Sequence, residues 1–260
     1  RVNNQEMEYW DLRDGGEYSG NGFYPTAYTA FEKDQMGWPV TIEELGSNAS
    51  ITMTASTEAG GTAYKIVNPN NSLEYLMLEC IQQRKWNRAQ HGNGLLVYHV
   101  NLPGNTISVT TDLNDKPGYP CMAVVPADGV TLSSYIKANK NNYITSLKGD
   151  LFPGTGNMKP DILQVSELSD ANPKPNFCWY NTAKTLKLAT NKALKNIQYN
   201  TSTGVVTFDY INDVASGILP LRSKDTKDDK IYSVDGRYLG TDLNALPHGV
   251  YIVGGRKVTR

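Results

Sequence analysis

The chain has 260 residues, with 25 basic and 26 acidic side chains, a formal net charge of −1 and 39% hydrophobic content. That length supports one large or two smaller globular domains, the balanced charge leaves no nucleic-acid footprint or polybasic membrane patch, and no apolar run reaches the roughly eighteen residues of a transmembrane helix. Cys80, Cys121 and Cys178 are far apart and lack C-x-x-C spacing, which argues against a zinc ribbon or disulfide framework and for buried free thiols.

The first predicted element is the tight acidic turn Trp10-Asp11-Leu12-Arg13-Asp14-Gly15-Gly16. Its paired glycines are expected to supply positive φ angles, and Asp11 and Asp14 to accept bonds from nearby backbone amides. A loop follows around Gly20-Asn21-Gly22. Pro25 suits a first helical turn, Thr26 and Thr29 offer capping hydroxyls, and Ala27, Ala30, Phe31 and Met36 lie near helical spacing before Gly37. The pattern predicts one helix of about a dozen residues.

After Trp38 the periodicity becomes alternating. Residues 50–55, 62–67, 74–82, 94–100, 118–126, 184–188 and 205–210 are short, rich in β-branched or aromatic side chains, and separated by Pro, Gly, Asn or Asp. Strands spaced in this way predict an antiparallel β-sandwich. Glu79 sits in an apolar strand and needs a partner, either Arg84 in an ion pair or a tyrosine hydroxyl. His99 follows Tyr98, so the two side chains point to opposite faces, and a histidine so placed is more often a core residue than a ligand. His91 falls in a loop.

Asp112, Asn114 and Asp115 resemble an oxygen-ligand loop without the glycine and distal glutamate of an EF-hand, so calcium stays open without an assigned site. Trp86, Trp179 and Tyr180 fit either a glycan platform or core packing. There is no G-x-S-x-G elbow, no G-x-x-x-x-G-K-[ST] and no G-x-G-x-x-G after a strand. Residues 221–230 are charged and poor in apolar anchors, which marks a boundary. Beyond it, residues 231–240 and 246–258 predict two hairpins, with Asp235-Gly236 as a type I′ turn and Gly254-Gly255 as a second tight turn.

The run from Trp10-Asp11-Leu12 through Asp14-Gly15-Gly16, Pro25, Tyr28-Thr29-Ala30-Phe31-Glu32-Lys33 and Met36-Gly37-Trp38 resembles the region after the zinc site in the immune inhibitor A-like family of secreted zinc metallopeptidases. So do residues 74–82, residues 92–100, Val125-Pro126-Ala127-Asp128 and Gly149-Asp150-Leu151-Phe152-Pro153-Gly154, so the resemblance covers about residues 9–210. Two departures stand out. Arg13 replaces the family's motif methionine, and the H-E-x-x-H helix is absent, since the only histidines, His91, His99 and His248, have no histidine partner four residues away.

The resemblance implies a C-terminal portion of such a peptidase: mainly β, with an antiparallel β-sandwich preceded by one helix from a metallopeptidase domain and followed by a small β-hairpin module. The implied domains are 1–38 (the end of the metallopeptidase-like domain), 39–213 (sandwich), 214–230 (linker) and 231–260 (terminal module). The parent would cleave protein or peptide substrates through a zinc-bound water. This chain itself would carry no catalytic residue and bind no zinc. Trp10, Asp11, Arg13 and Asp14 would line the cleft as structural wall, and the protein would be secreted or on a bacterial cell surface.

Two readings of the missing helix stay open. The chain is a fragment, favoured because it opens at Arg1 without an initiator methionine or signal peptide, or it belongs to a version that has lost catalysis. The competing class is a non-catalytic bacterial surface protein binding glycan or host protein through its sandwich. The terminal Tyr232-Ser233-Val234-Asp235-Gly236-Arg237 and Leu246-Pro247-His248-Gly249-Val250-Tyr251 elements resemble C-terminal modules of exported bacterial proteins, some of which are sorting signals; a plain stabilising module is the other reading.

Overall fold

The computed structural model describes residues 6–104, 114, 116, 118–131, 143–154, 164–214, 230–253 and 256–259. The chain divides into two compact units, Arg1–Val214 and Ala215–Arg260. It is mainly β, with several antiparallel sheets.

In the first unit the strands are β1 (Thr41–Glu44), β2 (Ala49–Met53), β3 (Thr62–Asn68), β4 (Asn71–Ile81), β5 (Gly94–Asn101), β6 (Met122–Val124), β7 (Leu168–Ser169), β8 (Trp179–Tyr180), β9 (Lys187–Leu188), β10 (Ala193–Tyr199) and β11 (Val206–Ile211). One sheet has the order β1-β3-β4-β5-β6, a second β2-β11-β10-β7, and β8 pairs with β9. The edge strand β1 pairs with β3 in parallel, against the antiparallel expectation.

The sequence of β4 and β5 explains their central position. Their apolar runs are nearly continuous, as expected of strands covered on both faces. On one face Leu76, Leu78, Cys80, Leu95 and Val97 share a core with Met53, Leu194, Ile197, Val206 and Phe208 of the second sheet. On the other, Met77, Ile81, Leu96 and Tyr98 pack against Met7, Trp10, Ala30 and Phe31. Each large apolar side chain buried in this way contributes about 1.5–3 kcal/mol relative to exposure. The leading segment also joins the sheet edge, where the Val124 amide donates to the Glu6 carbonyl at 3.0 Å.

The helix is half the expected length. Helix α1 spans Ala30–Gln35, six residues, and begins with a capping box: Glu32 N donates to Thr29 Oγ1, and Thr29 N to the Glu32 carboxylate. Pro25 does not start it, because the chain from Thr26 is fastened elsewhere. Thr26 Oγ1 and the Ala27 amide both donate to Asn87 Oδ1, at 3.2 and 3.0 Å. Of the expected apolar face, Ala30 and Phe31 are buried and Met36 is exposed. The helix ends in a Schellman motif: the Trp38 amide donates to the Lys33 carbonyl at 2.9 Å and the Gly37 amide to that of Asp34 at 3.0 Å, with Gly37 at φ +66°.

The expected strands 118–126 and 184–188 shrink to β6 and β9, while β1, β7, β8 and β10 were not anticipated. In β10 the register against β11 shifts between Lys195 and Gln198, which breaks the alternation that would have announced it.

In the second unit, β12 (Ile231–Ser233), β13 (Tyr238–Gly240), β14 (Val250–Val253) and β15 (Arg256–Thr259) form one antiparallel sheet in the order β13-β12-β14-β15. The two predicted hairpins are therefore joined through β12 and β14. The Asp235-Gly236 turn is not type I′, which needs positive φ at both residues; Gly236 alone has it, at +89°. Residues 221–229, Gly254, Gly255, Asp112 and Asp115 lie outside the described residues.

Candidate functional site

The acidic turn is a dense knot of backbone bonds. The Met7 and Glu8 amides donate to Asp14 Oδ2 at 2.8 and 3.0 Å, and the Arg13 amide donates to Asp11 Oδ1 at 2.8 Å. Both aspartates thus act as the sequence suggests. The glycines do not: neither Gly15 nor Gly16 has positive φ, and that conformation falls on Glu8 instead, at φ 57°. Glycine is required by close approach. A Cβ on Gly15 would stand 2.7 Å from the Glu8 carbonyl oxygen, and one on Gly16 would overlap Thr26 and the Asp11 carbonyl.

Trp10 is buried, and its Nε1 donates to Asp150 Oδ2 at 2.7 Å. Asp150 belongs to the Gly149–Gly154 segment, which is tied to β5 by reciprocal Leu95–Phe152 backbone bonds of 2.8 and 2.9 Å. The Ala127 amide donates to the Asp150 carbonyl at 2.9 Å, so residues 125–128 brace the same segment. Arg13 is exposed. Of the four residues expected to line a cleft, Trp10 and Asp11 are buried within the fold, Asp14 is half-buried, and Arg13 faces solvent.

Glu79 resolves in favour of the hydroxyl. Its carboxylate accepts from Tyr98 Oη at 2.6 Å, Thr57 Oγ1 at 2.5 Å and the Ala30 amide at 2.8 Å. Among the described residues the alternative ion pair with Arg84 does not form.

Several carboxyls near the turn are held above their usual range. Burial raises Asp11, while amide bonds from Arg13 and Asp14 pull it back. Burial lifts Asp14 to about 7, with the Asp11 charge adding to the rise. Glu32 also reaches about 7, first through burial and then through the same charge. Asp150 is raised well above the carboxylate range by burial and by the Glu8 charge. This group is anchored by backbone amides, a hydroxyl and an indole.

The histidines do not converge. His99 Nε2 lies 3.0 Å from Glu74 Oε1, and its ring packs on Trp179 and Tyr180; burial lowers its pKa, which favours neutral imidazole. Glu74 also accepts from the Tyr180 amide and Asn68 Nδ2, each at 2.6 Å. His91 stands edge-on to Tyr9 at 5.3 Å, again with burial lowering its pKa. His248 is exposed in the second unit. Among the described residues no group of three or more His, Cys, Asp or Glu is arranged to hold a metal ion.

Cys80, Cys121 and Cys178 are buried and free of disulfides. Trp179 and Tyr180 are only 4% and 5% exposed, which removes them from any glycan platform, whereas Trp86 is 58% exposed. Sequence reasoning overlooked Asp150 and Glu74 as buried carboxylates, and no local signal marks them. It also passed over the capping box, for which the T-x-x-E spacing of Thr29 and Glu32 is a usable signal.

No family model, curated protein or solved structure matches this chain. Among the described residues no helix is long and apolar enough to cross a membrane.

Proposed function

We propose that this chain is the non-catalytic, C-terminal part of a secreted metallopeptidase-like protein, in which it supports a catalytic half carried by residues outside this sequence. The observation that carries the proposal is convergence. The residues of the family resemblance meet in one buttress: Trp10 of the turn on Asp150 of the Gly149–Gly154 element, and the Ala30 amide of α1 and Tyr98 of β5 on Glu79 of β4. A buttress of this kind holds a wall in place and moves no proton to a substrate, which suits a supporting role for Trp10, Asp11, Arg13 and Asp14. In this reading the two sheets that share a core form the expected sandwich, peptide-bond hydrolysis and any zinc belong to the upstream half, and the protein or peptide substrate is the parent's.

The terminal sheet is assigned as a sorting element of the exported protein. Deleting residues 231–260 then lowers the extracellular amount, and an unchanged amount removes that role.

The experiment for the main reading takes protein purified from its native source and determines its intact mass, N-terminal sequence, zinc content and hydrolysis of a mixed peptide library. A longer chain with one zinc per molecule and peptide cleavage is expected. Native protein that begins at Arg1, lacks zinc and leaves the library intact would overturn it.

A further inference from the structure

A pocket of about 430 Å³ opens beside the acidic turn, lined by Pro25, Tyr28, Lys33, Trp38, Glu58 and Trp86 among others. Its volume falls in the roughly 300–1,000 Å³ range of small-molecule sites, which pair apolar and aromatic walls with a few polar groups. Trp38 and Trp86 are 50% and 58% exposed. Two indoles left in water at one opening form the kind of apolar surface that marks a binding site.

The walls are set by the fold before any ligand arrives. Trp38 is positioned by the Schellman motif that ends α1, and its ring meets Tyr28 edge-on at 5.2 Å and 81°. Trp86 has its amide fixed to Glu58 Oε1 at 2.7 Å and follows Lys85, which adopts φ +45°. A non-glycine residue in that region stores strain, and such strain concentrates where a side chain must be presented. Thr26 and Ala27 are hung on Asn87. Little ordering cost then remains for binding.

The polar groups narrow the ligand. Lys33 gives one of its three donors to the Thr57 carbonyl at 3.1 Å, and Glu58 Oε2 is buried without a hydrogen-bond partner. Their charges cancel, so an anion or a cation favoured by one is opposed by the other. A purely aliphatic ligand would leave the Glu58 oxygen desolvated and unpaired. What fits is a neutral molecule with hydroxyl groups along its edge and an apolar face for an indole. We propose that this pocket binds a neutral saccharide unit, its C–H face stacked on the exposed tryptophans and its hydroxyls shared between Lys33 and Glu58. The assignment does not depend on an upstream catalytic half.

The test titrates the whole chain with neutral hexose and N-acetylhexosamine oligosaccharides, following tryptophan fluorescence and heat. A glycoprotein is titrated before and after enzymatic deglycosylation, and proline- and aromatic-rich peptides serve as the competing class. Saturable binding to at least one neutral saccharide is expected, weakened at least tenfold by Trp86→Ala and reduced by Glu58→Gln, with circular dichroism melting showing both variants folded. Binding of free oligosaccharides identifies the free sugar as sufficient. Binding only to the glycoprotein, lost on deglycosylation, identifies a protein-linked glycan. The proposal is overturned by no saccharide binding at millimolar concentration, by affinity indifferent to Trp86→Ala, or by Trp86-dependent binding of peptides alone.

Discussion

Tyr98 stands diagonally across the β4–β5 pair from Glu79, whose direct partner is Leu96, and gives its hydroxyl hydrogen to the buried carboxylate at 2.6 Å. On the opposite face His99 stands diagonally from Glu74, whose direct partner is Asn101, with the offset in the other sense. Glu79 also accepts from Thr57 and from the first amide of α1. Replacing it by alanine leaves three buried donors without an acceptor, at about 1–3 kcal/mol each before relaxation, whereas Tyr98→Phe removes one bond worth about 1 kcal/mol. In urea unfolding Glu79→Ala is expected to cost more than about 3 kcal/mol. Equal losses for the two variants would mean that Glu79 is not the joint between helix and sheet.

Asp150 carries the second prediction. Its raised pKa means that the folded state holds a proton the unfolded chain gives up at lower pH. That contribution to stability is present below the unfolded pKa and is lost as pH rises through the folded one. Asp150→Asn keeps an oxygen for the Trp10 indole and removes the charge that Glu8 opposes. The variant is expected to match or exceed the parent at alkaline pH, while Asp150→Ala loses about 1–3 kcal/mol by stranding the indole. Thermal melts across pH decide it; an amide variant that is less stable at every pH would show that the carboxyl is held charged.

Asp14 and Glu32, each raised by burial to about 7, give the same sign over a defined window. Between their ordinary values and about pH 7 they lower stability as pH rises. His91 and His99 act oppositely, since their lowered pKa values give stability that is present above the ordinary histidine value and lost as pH falls. Differences between chains cancel the histidine contribution. Asp14→Asn, which retains an acceptor for the Met7 and Glu8 amides, is expected to gain stability relative to the parent as pH climbs from about 4.5 to about 7, and a pH-independent difference would contradict the assignment.

These sites differ in how much of them the sequence discloses. β3, β4 and β5 were legible from their β-branched and apolar runs, and the aspartate-to-amide bonds of the turn from local chemistry alone. For Glu79 the sequence showed that a buried carboxylate needs a partner but left an Arg84 ion pair and a tyrosine hydroxyl both open; the choice waits on the β4–β5 register. Gly15 and Gly16 misled, since the need for glycine arises from the approach of Thr26 and the Glu8 carbonyl, and glycine in a sequence does not say whether φ or space demands it. Pro25 misled in the same way, because Asn87, some sixty residues on, captures the backbone that would have begun the helix. Trp179 is buried on β8, whereas Trp86 is exposed on the 3-10 turn Lys85–Ala89, a difference that no local pattern encodes.

Gly37 links the fold to the proposed pocket. It sits at φ +66°, and a Cβ added there would have no neighbour within 4 Å, so alanine meets no clash and is opposed only by its backbone preference, about 1–2 kcal/mol. Relief of that preference unwinds the Schellman motif, and Trp38, fixed by its amide bond to the Lys33 carbonyl, moves with it. Thr29→Ala removes the cap at the other end of α1 at a similar cost, about 1 kcal/mol, and leaves the Gly37 turn intact. Both variants are therefore expected to melt at comparable, lower temperatures, but only Gly37→Ala should weaken saccharide binding. If both lose affinity in step, binding follows the stability of α1 and not the placement of Trp38.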